Sequence, residues 1–126
     1  MSFQYSILEN QDYLRLEVSG NWTPGKESEE IIRVLAQAAD SCRKVGATRI
    51  LAVFDVPGHL KIWDAHKVAI TPESFGWDHS FSLALVFLHK ERFKSSLHSE
   101  MVATSRGFRV KSFRDELSAQ SWLLGS

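Results

Sequence analysis

The 126 residues of the chain fit one domain, because two independent cores would leave about 60 residues each, which is marginal for a stable fold. Fifteen Lys and Arg side chains balance fifteen Asp and Glu side chains, so the formal net charge is zero. This balance argues against a general nucleic-acid binder and against a polybasic module that docks on membranes, since both classes carry a basic excess.

The first predicted elements are two strands that form a hairpin. Apolar and polar residues alternate over residues 3–7 and again over residues 13–19, with a short polar turn between them. A helix is predicted next, reaching to about Val45, with Thr23 and Pro24 as its cap and first turn. Its apolar stripe has the three- and four-residue spacing of one helix face. The stripe consists of Ile31, Leu35, Ala38, Cys42 and Val45.

Two short apolar runs predict strands in the middle of the chain. Residues 50–54 and 83–88 have no polar break, which is typical of strands buried on both faces of a parallel sheet. The segment between them predicts a weak helix over residues 60–70 and a loop over residues 71–80.

The C-terminal part predicts a helix, an edge strand and a closing helix. The first helix spans residues 90–106 and is interpreted as burying an apolar face made of Phe93, Leu97, Met101 and Thr104. Three serines of the same helix are interpreted as solvated, because no base lies near them in sequence. These serines are Ser95, Ser96 and Ser99. Residues 108–113 alternate like an edge strand, and residues 114–124 form the closing helix with Asp115 as a candidate cap.

The resulting order, β-β-α-β-α-β-α-β-α, predicts an α/β domain over residues 1–126. Strands that alternate with helices form parallel crossovers, and the hairpin adds one antiparallel strand at the edge. The expected sheet is therefore mixed, mainly parallel and five-stranded, with about four helices.

This pattern resembles the SpoIIAA-like fold shared by anti-sigma-factor antagonists and STAS domains. It is most similar to bacterial STAS-like proteins of poorly defined function, and the likeness spans nearly the whole chain. The segments that carry it are residues 13–20, 49–55 and 107–115, followed by Ala119, Trp122 and Leu123. The resemblance implies a βα superhelical domain.

The turn after the third strand departs from the antagonist pattern. Antagonist-type STAS domains carry a phosphorylatable serine there, whereas the matching residues 55–59 contain neither serine nor threonine. The resemblance thus implies a non-enzymatic regulatory domain that binds other proteins without this phospho-switch. Zero net charge removes mutual repulsion between copies, so a homodimer is expected.

The carboxyl ends of the buried strands are where parallel sheets usually bind ligands. This rule selects Asp55, Gly58, His59 and His89 as candidate binding residues. One Asp and two His can form a metal-facing triad or an acid–base pair, or they can be ordinary loop residues and caps. No familiar catalytic motif or phosphate-cradling glycine loop occurs. We therefore expect no enzyme, no metal and no cofactor.

Three aromatic residues cluster around the weak helix and the loop that follows it. Trp63, Phe75 and Trp77 can line an apolar ligand pocket, form a dimer patch, or act as a lid over one end of the core. The alternative function is therefore a binding module for a small apolar or lipid-like ligand.

The sequence also predicts a cytoplasmic location. The first ten residues lack a basic region followed by an apolar run, so no secretory signal is expected. The longest apolar run, residues 83–88, is far shorter than the roughly 18 residues of a membrane span. The single cysteine, Cys42, is interpreted as a small buried apolar side chain.

Overall fold

A five-stranded sheet organises the protein, which a computed structural model describes over residues 3–70 and 72–125. The strands are β1 (Phe3–Glu9), β2 (Leu14–Gly20), β3 (Arg49–Asp55), β4 (Ser82–Phe87) and β5 (Arg109–Phe113). The helices are α1 (Glu27–Val45), α2 (Ile62–Ile70), α3 (Lys90–Ser105) and α4 (Glu116–Leu124), with a 3-10 turn at Pro72–Phe75. The strands lie in chain order, β1 antiparallel and the other four parallel. The predicted α/β class and mixed, mainly parallel sheet are confirmed.

The helices divide unequally between the two faces of the sheet. Side chains alternate along each strand, so Ile50, Ala52 and Phe54 of β3 join one core while Leu51 and Val53 join the other. The first core packs against α1, α2 and α3, and the second packs against α4. We call these the three-helix face and the α4 face.

The start of α1 differs from the sequence prediction. Thr23 is not the helix cap, because the helix begins at Glu27, after Lys26. The backbone N–H and the hydroxyl of Thr23 instead donate to the two carboxylate oxygens of Glu30, both at 2.7 Å. This buried carboxylate thus accepts hydrogen bonds from two donors of the loop that leads into the helix. In the apolar stripe of α1, Leu35, Ala38 and Cys42 are buried, Ile31 is partly buried and Val45 is exposed. Burial raises the pKa of the Cys42 thiol to about 11.

The inner face of α3 also differs from the prediction. Leu97 and Met101 are exposed, whereas Arg92, Ser96 and Ala103 are buried. The interpretation of Ser96 as solvated is therefore wrong, and its hydroxyl donates to the carbonyl of Phe93 at 2.6 Å. Small side chains on this face allow α3 to approach its neighbours, and local hydrogen bonds offset the cost of burying a hydroxyl.

Helix α4 is fixed at its first turn. Asp115 is its N-cap, as predicted, and its Oδ1 accepts from the backbone N–H of Ser118 at 2.8 Å. Next to this cap, Glu116 accepts two hydrogen bonds from Arg15 of β2, at 2.5 and 3.0 Å. This bidentate pair joins the start of α4 to the sheet.

Within the described part of the chain, no helix combines the length and the apolar character that crossing a membrane requires.

Candidate functional site

The carboxyl ends of β3 and β4 bring two of the predicted site residues together. The imidazole Nε2 of His89 lies 2.7 Å from Oδ1 of Asp55, so these two candidate residues meet at the edge of the sheet. Both side chains reach the solvent. A carboxylate beside an imidazole can orient the ring and select its tautomer.

The third member of that predicted set does not join the pair. His59 is exposed, and the described residues give it no hydrogen bond and no ion pair. Across residues 3–70 and 72–125, no three His, Cys, Asp or Glu side chains lie where they could hold a metal ion. Gly58 has a backbone φ of +93°, and a Cβ built there would lie 3.4 Å from a terminal nitrogen of Arg92. The turn is therefore shaped to pass close to that guanidinium.

A cavity lies on the three-helix face, between the sheet and the helices. Its volume is about 100 Å³, its wall is almost wholly apolar, and it is partly open to the solvent. The strands contribute alternate residues to it, because only one side of each strand faces these helices. The apolar lining consists of Trp22, Ile31, Leu35, Phe54, Val56, Leu60, Val68, Ala69, Pro72, Phe75, Trp77, Leu83, Leu85, Phe87, Ala103, Phe108 and Val110.

The aromatic residues predicted as one cluster separate between the cavity and the surface. Phe75 and Trp77 line the cavity, and Trp77 is only 5% exposed. Trp63 does not line it, and 79% of its surface is exposed. The loop around Trp77 is fastened to α1, because the guanidinium of Arg43 donates to the carbonyl of Gly76. The structure thus places Phe75 and Trp77 at the cavity and Trp63 at the surface.

Polar residues of α3 form one side of the same cavity, and the sequence interpretation did not find them. Ser95 Oγ accepts from the backbone N–H of Leu60 at 3.0 Å. Ser99 Oγ donates to the carbonyl of Ala65 at 3.0 Å. These bonds join α3 to α2 and to Leu60, the residue that leads toward α2. The signal in the sequence was the helical spacing of Arg92, Ser95 or Ser96, and Ser99, which repeats every three or four residues.

Arg92 is the one charged residue of the lining, and it is buried. Its Nε donates to the carbonyl of Pro57 at 3.1 Å, and one terminal nitrogen lies 3.4 Å from a carboxylate oxygen of Glu27. Burial holds the pKa of this guanidinium below its usual value, although the Glu27 charge opposes that shift. Arg92 therefore ties the turn after β3 to α1 and α3.

Trp77, which lines the cavity, also carries a polar atom without a hydrogen-bond partner. Its indole Nε1 is the only buried side-chain nitrogen or oxygen of the described residues that has no hydrogen-bond partner. A buried donor without an acceptor lowers the free energy of unfolding by roughly 1–3 kcal/mol. An acceptor atom that bonds this N–H would therefore stabilise the folded protein. The serine hydroxyls of the lining, in contrast, are already bonded to the protein.

Comparison with known proteins adds no family to this geometry. No protein-family model matches the chain, and no curated protein matches it. The likeness to SpoIIAA-like and STAS domains therefore stays a prediction from the sequence.

Proposed function

We propose that the protein is a binding module for a small apolar ligand, held in the cavity of the three-helix face. The single observation that carries this proposal is the cavity itself, with its apolar wall and partial opening. Ligand pockets are typically concave and mostly apolar, with a few placed polar groups. Phe75 and Trp77, which the sequence selects as pocket candidates, both line it.

The size of the cavity favours a small molecule over a whole lipid chain. Its volume of about 100 Å³ is somewhat below that of an engineered cavity of about 150 Å³ that binds benzene. A molecule of about the size of one six-membered ring is therefore the scale to test.

An unfilled volume in a core carries an energetic cost that a ligand can offset. A ligand that binds the folded state alone raises the free energy of unfolding in proportion to the logarithm of its concentration. Thermal unfolding in the presence of ligand thus reports on the site.

The test is a titration with benzene, followed by the midpoint of thermal unfolding and by calorimetry. Ala69→Leu and, independently, Ala103→Leu add carbon atoms to side chains that line the cavity. Ala36→Leu makes the same change on α1 at a half-buried position outside the lining, and it is the matched control.

We expect benzene to raise the unfolding midpoint of the wild type and of the Ala36→Leu variant. The two filling variants should lose that response while their own stability rises by about 1 kcal/mol. An unchanged midpoint of the wild type at saturating benzene, or equal responses of all four proteins, would contradict the proposal.

A second candidate function, a protein-interaction domain that forms a homodimer, is favoured by two exposed residues of α2. Ile62 is 63% exposed and its neighbour Trp63 is 79% exposed, so the start of α2 presents two large apolar side chains to the solvent. A second copy of the chain fits this surface because two chains of zero net charge do not repel each other.

Native mass spectrometry over a range of protein concentrations tests this second function. A dimer population that grows with concentration should be lost in Trp63→Ser and kept in Leu117→Ser, which alters an exposed leucine on α4 instead. A wild-type protein that stays monomeric, or a dimer that both variants retain, would rule out this interface.

A further inference from the structure

The buried indole N–H of Trp77 narrows the chemistry of the ligand. Trp77 lines the cavity, is 5% exposed, and its Nε1 finds no acceptor among the described residues. An indole N–H only donates, so it requires an acceptor atom and not a second donor. We propose that the ligand is a neutral apolar molecule with one hydrogen-bond acceptor, of the ketone, ester or ether class, whose oxygen accepts from Trp77. This inference rests on the proposed function.

Trp77 is the group that binds this oxygen, because the serine hydroxyls of the lining already have protein partners. The hydroxyls of Ser95, Ser96 and Ser99 are each engaged with protein groups. A water molecule beside this indole is a poor alternative partner, because the almost wholly apolar wall offers it few other groups to bond. A ligand oxygen attached to an apolar body needs only the one donor and buries its carbon atoms against the wall.

A neutral ligand fits better than an anion. A charge transferred into an apolar site is costly unless it is paired and hydrogen-bonded. The one cation of the lining, Arg92, already contacts Pro57 and the carboxylate of Glu27. The unsatisfied group of this site is therefore a neutral donor, and a neutral acceptor complements it.

Two nearly isosteric probes isolate the oxygen: cyclohexanone and methylenecyclohexane, which differ in a carbonyl against an exocyclic CH₂ group. Their affinities are measured by NMR titration for the wild type and for Trp77→Phe, which removes the donor and keeps an aromatic ring. Trp22→Phe is the matched control, since it makes the same change at another tryptophan of the lining. The ¹H–¹⁵N signal of the Trp77 indole is followed in the wild type.

We expect Trp77→Phe to weaken cyclohexanone binding about three- to tenfold more than methylenecyclohexane binding, which is the usual net effect of one hydrogen bond. Trp22→Phe should change both affinities by the same factor. In the wild type, cyclohexanone should move the indole proton downfield and methylenecyclohexane should not. The indole signal keeps the test decisive if Trp77→Phe does not fold.

The outcomes separate this inference from the function on which it rests. If methylenecyclohexane binds but cyclohexanone neither moves the indole proton downfield nor shows the selective loss, the acceptor inference is wrong and the apolar site stands. If benzoate binds more tightly than cyclohexanone, the ligand is an anion and the inference is wrong. If neither probe binds although benzene does, the inference fails and the proposed function stands; if none of the three binds, both fail.

Discussion

The two faces of the sheet are covered in different ways. On the α4 face, one helix of nine residues packs against β3 and β4, and its core contains the fully buried Leu51 and Leu123. On the three-helix face, α1, α2 and α3 surround a larger core that still contains a cavity of about 100 Å³. The face with more helices is thus the less completely filled one.

From this difference we infer that the α4 face mainly stabilises the fold, whereas the proposed binding function belongs to the three-helix face. The polar links of the α4 face are direct: Arg15 holds Glu116, and Gln120 donates to the hydroxyl of Tyr13 at 3.0 Å. On the other face, Ser99 joins α3 to α2 and Ser95 joins it to Leu60, which precedes α2; both serines also line the cavity. Small residues at these positions keep the volume open, where larger apolar residues would fill it.

The largest expected effect is a loss of stability without a loss of binding. Leu123 is fully buried on the α4 face, so Leu123→Ala should lower the free energy of unfolding by about 3 kcal/mol. Benzene affinity of the folded protein should stay within twofold of the wild type, because the cavity lies on the other side of the sheet. Urea unfolding and calorimetry measure the two quantities.

Leu83→Ala supplies the comparison from the cavity side. This change should also destabilise the protein, but it should enlarge the cavity that Leu83 lines and admit bulkier alkylbenzenes. If Leu123→Ala and Leu83→Ala altered ligand size preference equally, the contrast between the faces would be wrong.

A smaller, pH-dependent effect is expected at the ion pair of the α4 face. The hydrogen bonds from Arg15 hold the pKa of Glu116 below its ordinary value of 4.5. The stabilisation is therefore fully present above the unfolded pKa and is lost as the pH falls through the folded pKa. Glu116→Gln should cost about 0.5 kcal/mol at pH 7, since both side chains are partly exposed, and almost nothing in strong acid.

Urea unfolding at several pH values checks this dependence. Glu9→Gln is the control, because Glu9 is exposed and the described residues give it no ion pair. A difference between wild type and Glu116→Gln that is the same at every pH would contradict the role assigned to this pair.

The sequence predicts the sheet well and the helix faces less well. Continuous apolar runs placed β3 and β4 within a residue or two, because a strand buried on both faces leaves a simple pattern. The predicted inner face of α3 was wrong, because the apolar side chains of Leu97 and Met101 are exposed. Periodicity locates the most apolar side of a helix, whereas this helix turns small and hydroxyl-bearing residues toward a cavity.

The candidate site was predicted in part for the same reason. Parallel topology brings Asp55 and His89 to one edge, so their contact follows from the order of the strands. The placement of Phe75 and Trp77 in a cavity and of Trp63 at the surface depends on tertiary packing around α2, which no local pattern specifies. Arg92 was missed because its burial depends on the turn at Pro57 and on Glu27 of α1.

The most direct test of the account is a methyl NMR spectrum recorded during a benzene titration. The methyl groups of Val68, Leu83 and Val110 line the cavity, and those of Leu51 and Leu123 belong to the α4 face. A binding site on the three-helix face predicts saturable shifts confined to the first group, with the second group unchanged. Shifts of equal size on both faces, or no saturable shift at all, would contradict the claim that the three-helix face is a binding site.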